Sequence, residues 1–241
     1  MNVILNPVKI IWMMMWAAIA SILLFIPITV SALLSKTGNL AFTLSKIWAR
    51  IMLGVTFVSS EILNSARIIK GQSYVIISNH QSHFDILALV TTLGVQFRWV
   101  IKKEILKIPL FGVALYASRN IFIDRSNTAS AVESINRGLN RLPGGASVMI
   151  FAEGTRSRDG EIHEFKKGGF MMALTKKMPI LPVTVNGSRK VLPRGSFAVN
   201  PGRIQVVVGE PIDTSGFSGD NVQALIDKTR KAIIENFNPS Y

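Results

Sequence analysis

The sequence predicts an α/β domain, with helices packed on a largely parallel sheet, behind an N-terminal two-helix membrane anchor. Two observations carry this. Ile10 to Leu34 has no charged residue, and no Asp or Glu precedes Glu61. Beyond that point charge becomes frequent, and short apolar runs of strand length alternate with helix-length segments. The expected division is an anchoring segment over 1–60 and a folded domain, carrying the site, over 61–241.

Taken in order, Ile10 to Leu34 exceeds the roughly 20 apolar residues that a membrane span requires. Pro27 removes a backbone donor inside it, which favours a kink, so a tilted or re-entrant segment stays open beside a full span. Trp12 and Trp16 lie four apart on one face, where indoles suit the headgroup boundary. A cleaved signal peptide fits less well, because the apolar stretch outruns the roughly 7 to 15 residues of such a core. Leu40 to Val58 puts Lys46 and Arg50 on one face and Leu44, Ile47, Ile51 and Val55 largely opposite, the pattern of a helix lying in the interface.

Tyr74 to Ser78 is then a strand, ending in polar Asn79-His80-Gln81-Ser82, and Asp85 to Thr92 a helix. Phe97 to Ile101 and Ile121 to Ile123 are further strands. Ser126 or Asn127 caps a helix running to about Arg141 and stopping at Pro143-Gly144-Gly145. Ser147 to Phe151 is a strand followed by a polar loop, Glu153 to Glu161. Ile180 to Val185 and Arg203 to Val208 are strands, and Val222 to Phe237 is a closing amphipathic helix. In such a fold functional residues belong in the loops at strand ends.

Charge narrows the function classes. Against 27 Lys and Arg stand 14 Asp and Glu, a net charge of +13 that attracts nucleic acid or anionic lipid. Nucleic acid is the weaker partner, since no zinc-finger spacing, RNP-like strand or basic helix is present. Anionic membrane lipids fit a basic body behind an apolar front, each Lys or Arg near such a surface contributing roughly 1 kcal/mol. With no cysteine, a disulfide framework, a thiolate nucleophile and a Cys-based zinc site are excluded.

The sharpest cluster is Asn79-His80-Gln81-Ser82-His83-Phe84-Asp85, directly after an apolar strand. Residues five apart do not share a helical face. With His80 held in the loop and Asp85 in the first helical turn, the chain folds back and joins them. A carboxylate bonded to one imidazole nitrogen fixes the tautomer and leaves the other as a base. A lone histidine would read as structural, but five polar residues within seven are costly to place there for packing alone. His83 with His80 and Glu153 as metal ligands, and Ser82 as a nucleophile, are weaker alternatives.

The second cluster is Phe151-Ala152-Glu153-Gly154-Thr155-Arg156-Ser157. Gly154 permits close backbone approach, Thr155 and backbone N–H groups can donate, and Arg156 can grip a phosphate bidentately. Arg125 after Ile121-Phe122-Ile123-Asp124, and Lys102-Lys103, also sit at strand ends. Several cations converging on one rim form an anion site.

Asn79 to Asp85 matches the N-H-x-x-x-x-D signature of the glycerolipid acyltransferases. Phe122-Ile123-Asp124-Arg125 resembles that family's second motif, Phe151 to Ser157 its third, and Ile180-Leu181-Pro182-Val183 its fourth. Lys102-Lys103-Glu104 with Pro109-Leu110-Phe111-Gly112 resembles a further common segment. The likeness covers about residues 60 to 215. It implies a mixed sheet flanked by helices, and transfer of an acyl group from acyl-CoA or acyl carrier protein to the sn-2 hydroxyl of 1-acylglycerol 3-phosphate. Another lysophospholipid or an amino-acid lyso-lipid is the alternative acceptor.

The resemblance also implies roles. His80 is the general base and Asp85 its orienting partner. Arg125 binds the acceptor phosphate with help from Arg156 and Lys102. Glu153 and Gly154 shape the acceptor site, and the Pro182 region supports the pocket. It implies no metal and no cofactor beyond the thioester co-substrate, and a catalytic domain on the cytoplasmic face of a bacterial inner membrane. One departure stands out: the second motif commonly has glycine where this chain has Arg119.

Overall fold

Tyr74-Val75-Ile76-Ile77-Ser78 is apolar on both faces, and a strand buried on both faces belongs at the centre of a sheet. The computed structural model, which describes residues 7–108 and 111–241, places it there. Strand β2 (Val75–Ser78) pairs in parallel with β5 (Ser147–Phe151) on one side and β6 (Ile180–Asn186) on the other. The remaining strands are β1 (Val58–Leu63), β3 (Phe97–Lys102), β4 (Ile121–Ile123) and β7 (Gly202–Val208). They complete a seven-stranded sheet of order β1-β7-β6-β2-β5-β3-β4. All pairs are parallel except β6 with β7, so the sheet is mixed.

Alternation along β2 divides the core. Tyr74 and Ile76 pack with Phe84, Leu87, Phe97 and Met149 beneath α2 (Asn39–Val55) and α3 (Phe84–Thr92). Val75 and Ile77 pack with Val148, Ile150, Phe170 and Leu225 on the opposite face. That face is covered by α5 (Thr128–Asn140), α6 (Gly168–Lys176) and α8 (Val222–Glu235). Asn127 caps α5, its side chain accepting from the Ser130 amide at 2.8 Å. Two short helices, α4 (Phe111–Ala117) and α7 (Ser188–Val191), follow β3 and β6.

Helix α1 (Pro7–Leu34) carries Pro27 in its interior. Among the described residues it alone is long and apolar enough to cross a membrane. It runs antiparallel to α2: the Trp12 indole donates to the Val55 carbonyl at 3.1 Å, and that of Trp48 to Ser21 Oγ at 3.2 Å. The turn between them needs Gly38, whose φ of +70° favours glycine and whose Cβ would meet the Ser118 carbonyl at 3.0 Å. Ala32 and Ile28 near the end of α1 pack on Ala41 and Ala117, so the pair lies against the domain at its far end too.

The sheet is largely parallel and mixed, as expected, the β6–β7 pair alone being antiparallel. One boundary is corrected. Helix α2 stops at Val55, not Val58, since Phe57 turns the chain at φ +56° and Val58 starts β1. Pro109 and Leu110 lie outside the described residues.

Candidate active site

Because β2, β3, β4, β5 and β6 run in one direction, their carboxyl ends share one edge of the sheet. His80 follows β2, Glu153 follows β5 and Arg125 follows β4, while Lys102 ends β3. This edge is where an open α/β sheet presents its ligand crevice.

The turn after β2 is fixed by Asn79, which is fully buried and makes two amide bonds to Val185 of β6, at 2.8 and 2.9 Å. His80 therefore leaves the strand at a set angle. Its amide donates to Glu153 Oε1 at 2.9 Å, and its carbonyl accepts from the Ser157 amide at 2.8 Å. Its ring stacks on Phe151 at 3.8 Å between centroids. Asp85, in the first turn of α3 and 0% exposed, places Oδ2 2.8 Å from His80 Nδ1. The same oxygen accepts from the Gln81 and Ser82 amides at 2.8 and 2.9 Å. Three donors on one oxygen fix the orientation of the carboxyl group. An ionised Asp85 puts the imidazole proton on Nδ1 and leaves Nε2 with a free lone pair.

The second cluster folds over this turn. Glu153 is buried and accepts at both oxygens, from His80 and from the His163 amide at 3.3 Å. Burial raises its pKa, against the opposing effect of those amide bonds and of nearby histidines. Gly154 sits at φ +73°, and its carbonyl accepts from the Arg125 guanidinium at 2.8 Å. That contact brings the second and third motifs together. Arg125 and Arg156 both have lowered pKa values, first from loss of solvent. Arg156 is close enough for its charge to act on His83 and to feel Asp85. Thr155 is exposed.

Lys102 is exposed at the tip of β3 and forms no ion pair among the described residues. Its neighbour Lys103 instead bonds Asp124 at 2.5 Å, holding that carboxyl down at about 2. Pro182 lies in buried β6 opposite Ile77. Ser82 is buried, donates to the Leu192 carbonyl at 2.8 Å and accepts from the Phe84 amide, which is the bonding of a turn residue. Among the described residues no three His, Asp or Glu side chains converge as metal ligands.

Residues missed by sequence reading form the wall beside this site. An apolar cavity of about 470 Å³ lies between the helix pair and the sheet, lined by Phe25, Phe42, Trp48, Leu87, Trp99 and Leu115, among others. Trp99 stacks on Phe151 at 5.6 Å, and Phe151 in turn carries His80, so one wall of the cavity adjoins the imidazole. Its charged member is Arg98, 1% exposed. Arg98 donates to the carbonyls of Phe97 and Thr37 and to Asn39 Oδ1, and burial lowers its pKa to about 10.

Together these features define an α/β protein with a carboxylate-held imidazole at the carboxyl edge of its sheet. The profile of the acyltransferase family matches residues 58–186, and the chain belongs to that family. Over 197 residues it is 33% identical to a chloroplastic 1-acyl-sn-glycerol-3-phosphate acyltransferase of Brassica napus, covering 81% of this chain and 55% of that protein. Over 168 residues it is 33% identical to the mouse 1-acyl-sn-glycerol-3-phosphate acyltransferase alpha, covering 69% and 59%. The chain spans about half the length of the curated relatives it matches. The crystal structure of the 1-acyl-sn-glycerophosphate acyltransferase PlsC from Thermotoga maritima has the same fold, with a TM-score of 0.77 at 23% identity, covering 99% of this chain and 100% of that one.

Proposed function

We propose that this protein transfers a fatty acyl group from a thioester, acyl-CoA or acyl carrier protein, to the sn-2 hydroxyl of 1-acylglycerol 3-phosphate, giving phosphatidic acid. The observation that carries the reading is His80, held through Nδ1 by buried Asp85, with an apolar cavity on one side and the Arg125 and Arg156 rim on the other. The names of the relatives support the acceptor. A cavity of this volume is in the usual range of roughly 300 to 1,000 Å³ for a ligand site, and its apolar lining suits an acyl chain.

In this reading the acceptor hydroxyl donates its proton to His80 Nε2 as its oxygen attacks the thioester carbonyl. The C–O bond forms, the tetrahedral intermediate collapses, the C–S bond breaks, and the imidazolium returns its proton to the leaving thiolate. Asp85 holds the ring and offsets its transient positive charge. Arg125 and Arg156 bind the acceptor phosphate, Lys102 adds charge at the rim, and Glu153, Gly154 and Thr155 shape the loop around it. The reaction as written uses no metal or further cofactor.

The helix pair is the anchor. On this reading the exposed apolar side chains of α1 face lipid; the contacts of Met13 and Ala17 with the core and of Ala32 with Ala117 support a pair held against the domain and entering one leaflet, with the site at the membrane surface. On this reading residues 1–60 anchor and 61–241 catalyse, on the cytoplasmic face of a bacterial inner membrane.

Thiol release by the purified protein in liposomes, with palmitoyl-CoA or the acyl carrier protein thioester and a panel of lyso-lipids, tests this. Release should depend on lysophosphatidic acid and fall by about 10² to 10⁴ in His80→Ala. Undiminished release in a well-folded His80→Ala variant, or none with any acceptor and either donor, would sink the assignment.

A further inference from the structure

One arginine outside every motif is tied to both halves of the site. The segment after α7 runs through Leu192, Pro193 and Arg194, beyond the residues that the family profile matches. The Leu192 carbonyl accepts from Ser82 in the His80 turn at 2.8 Å, and two residues later the Arg194 guanidinium donates to the Arg156 carbonyl. Arg194 is thus fixed by bonds to the turn and to the loop that surround His80.

Its charge is unanswered. Neither Arg194 nor Arg156 forms an ion pair among the described residues, and each is half-buried. Arg156 feels Arg194 as a like charge, which adds to desolvation in lowering its pKa. The Arg194 guanidinium lies against the backbone of Arg156, and like charges brought this near repel less when an anion binds both. One N–H of Arg194 is used on the Arg156 carbonyl, and the rest of its fork of five donors has no protein partner among the described residues.

We propose that Arg194 is a phosphate ligand which, with Arg156, forms a two-guanidinium cradle beside His80 for the phosphate monoester of the acceptor. The inference rests on the proposed function and adds a source of headgroup selectivity. A monoester carries about −1.5 to −2 at pH 7, whereas the diester of lysophosphatidylethanolamine carries a single negative charge on its phosphate. A second guanidinium therefore favours the monoester, and it does so by two-point charge-assisted bonding.

The test is steady-state kinetics of Arg194→Gln in liposomes, varying acceptor and donor separately. The expected result is a rise of about tenfold in KM for lysophosphatidic acid, with donor KM unchanged and the preference over lysophosphatidylethanolamine reduced by a similar factor. Arg194→Lys, which keeps the charge and loses the fork, should fall between wild type and Arg194→Gln. An unchanged acceptor KM overturns the proposal. So does a rise in donor KM alone, which would move the site to the carrier's phosphate, and so does a kcat loss with both KM values unmoved, which marks a loop clamp only. If Arg194→Gln does not fold, Arg194→Lys decides alone, a wild-type acceptor KM counting against the cradle. Failure of the proposed function is distinguishable: it appears as wild-type protein that does not acylate lysophosphatidic acid, and it removes this inference with it.

Discussion

Arg119 shows how one departure from a family pattern becomes intelligible in the backbone. It follows α4 at φ +64°, its amide donates to the Tyr116 carbonyl, and the Asn120 amide donates to the Leu115 carbonyl. That pair of bonds is a Schellman ending with Arg119 in the left-handed position, where glycine is usual. The glycine common to the second motif therefore answers a helix stop, and the arginine here endures about 1 to 2 kcal/mol of backbone strain. Its side chain packs toward Gly38 and leaves Nε buried without a partner, so it offers little compensation. Arg119→Gly should be more stable than Arg119→Ala by about 1 kcal/mol, the reverse of the ordinary order. For a domain of this size that is a difference of about 2 to 4 °C in Tm. Melting curves in detergent that rank the alanine variant higher would refute the strain argument.

At the scale of elements, what could be read in sequence followed from period and punctuation. Helix α5 lies where the cap residue Asn127 and the stop at Pro143 put it, and β5 was legible over Ser147 to Phe151 to the residue, because all five are flanked by turn chemistry. The His80–Asp85 pair was legible because a loop-to-helix transition leaves few other geometries for residues five apart. Strand β1 was not, since Val58-Ser59-Ser60-Glu61-Ile62-Leu63 is half polar and forms only when β7, some 140 residues away, pairs with it at the sheet edge. Nor was Arg98, whose partners lie about 60 residues back, Thr37 in the turn before α2 and Asn39 at its first residue. This side chain fastens the start of α2 to β3. Removing one partner of a buried charged network leaves the other polar groups unsatisfied. Arg98→Ala should therefore cost about 3 to 5 kcal/mol and lower Tm by more than about 6 °C, by the same size scaling. A change within about 1 °C in differential scanning fluorimetry would mean that the α2–β3 tie is dispensable.

On the scale of the whole molecule, two surfaces of different physics meet at the site edge. Cations crowd the rim of the sheet, while α1 turns Ile11, Leu23, Val30 and Leu33 outward with little protein over them. In water that exposed apolar stripe is a liability, and in the proposed function burial of apolar area takes it into a lipid phase. In the proposed function the charge draws the molecule to an anionic surface, a share screened beyond about 8 Å at physiological ionic strength. The apolar share is not. Leu23 and Val30, seven residues apart, lie on one stripe of the helix and outside the cavity lining, so changing them leaves the acyl pocket untouched. An aspartate at the centre of a membrane helix costs roughly 2.5 to 3.5 kcal/mol, about a hundredfold in partitioning. The double variant Leu23→Asp/Val30→Asp should therefore lose most of its binding to sedimented vesicles of phosphatidylglycerol and phosphatidylethanolamine, with Tm in detergent near that of wild type. Wild-type protein should stay bound when sodium chloride is raised to about 1 M, where the Debye length shrinks to about 3 Å. Release of the wild type by salt, with the double variant sedimenting as before, would make the basic rim the membrane-binding surface and leave the α1 stripe without a role in anchoring.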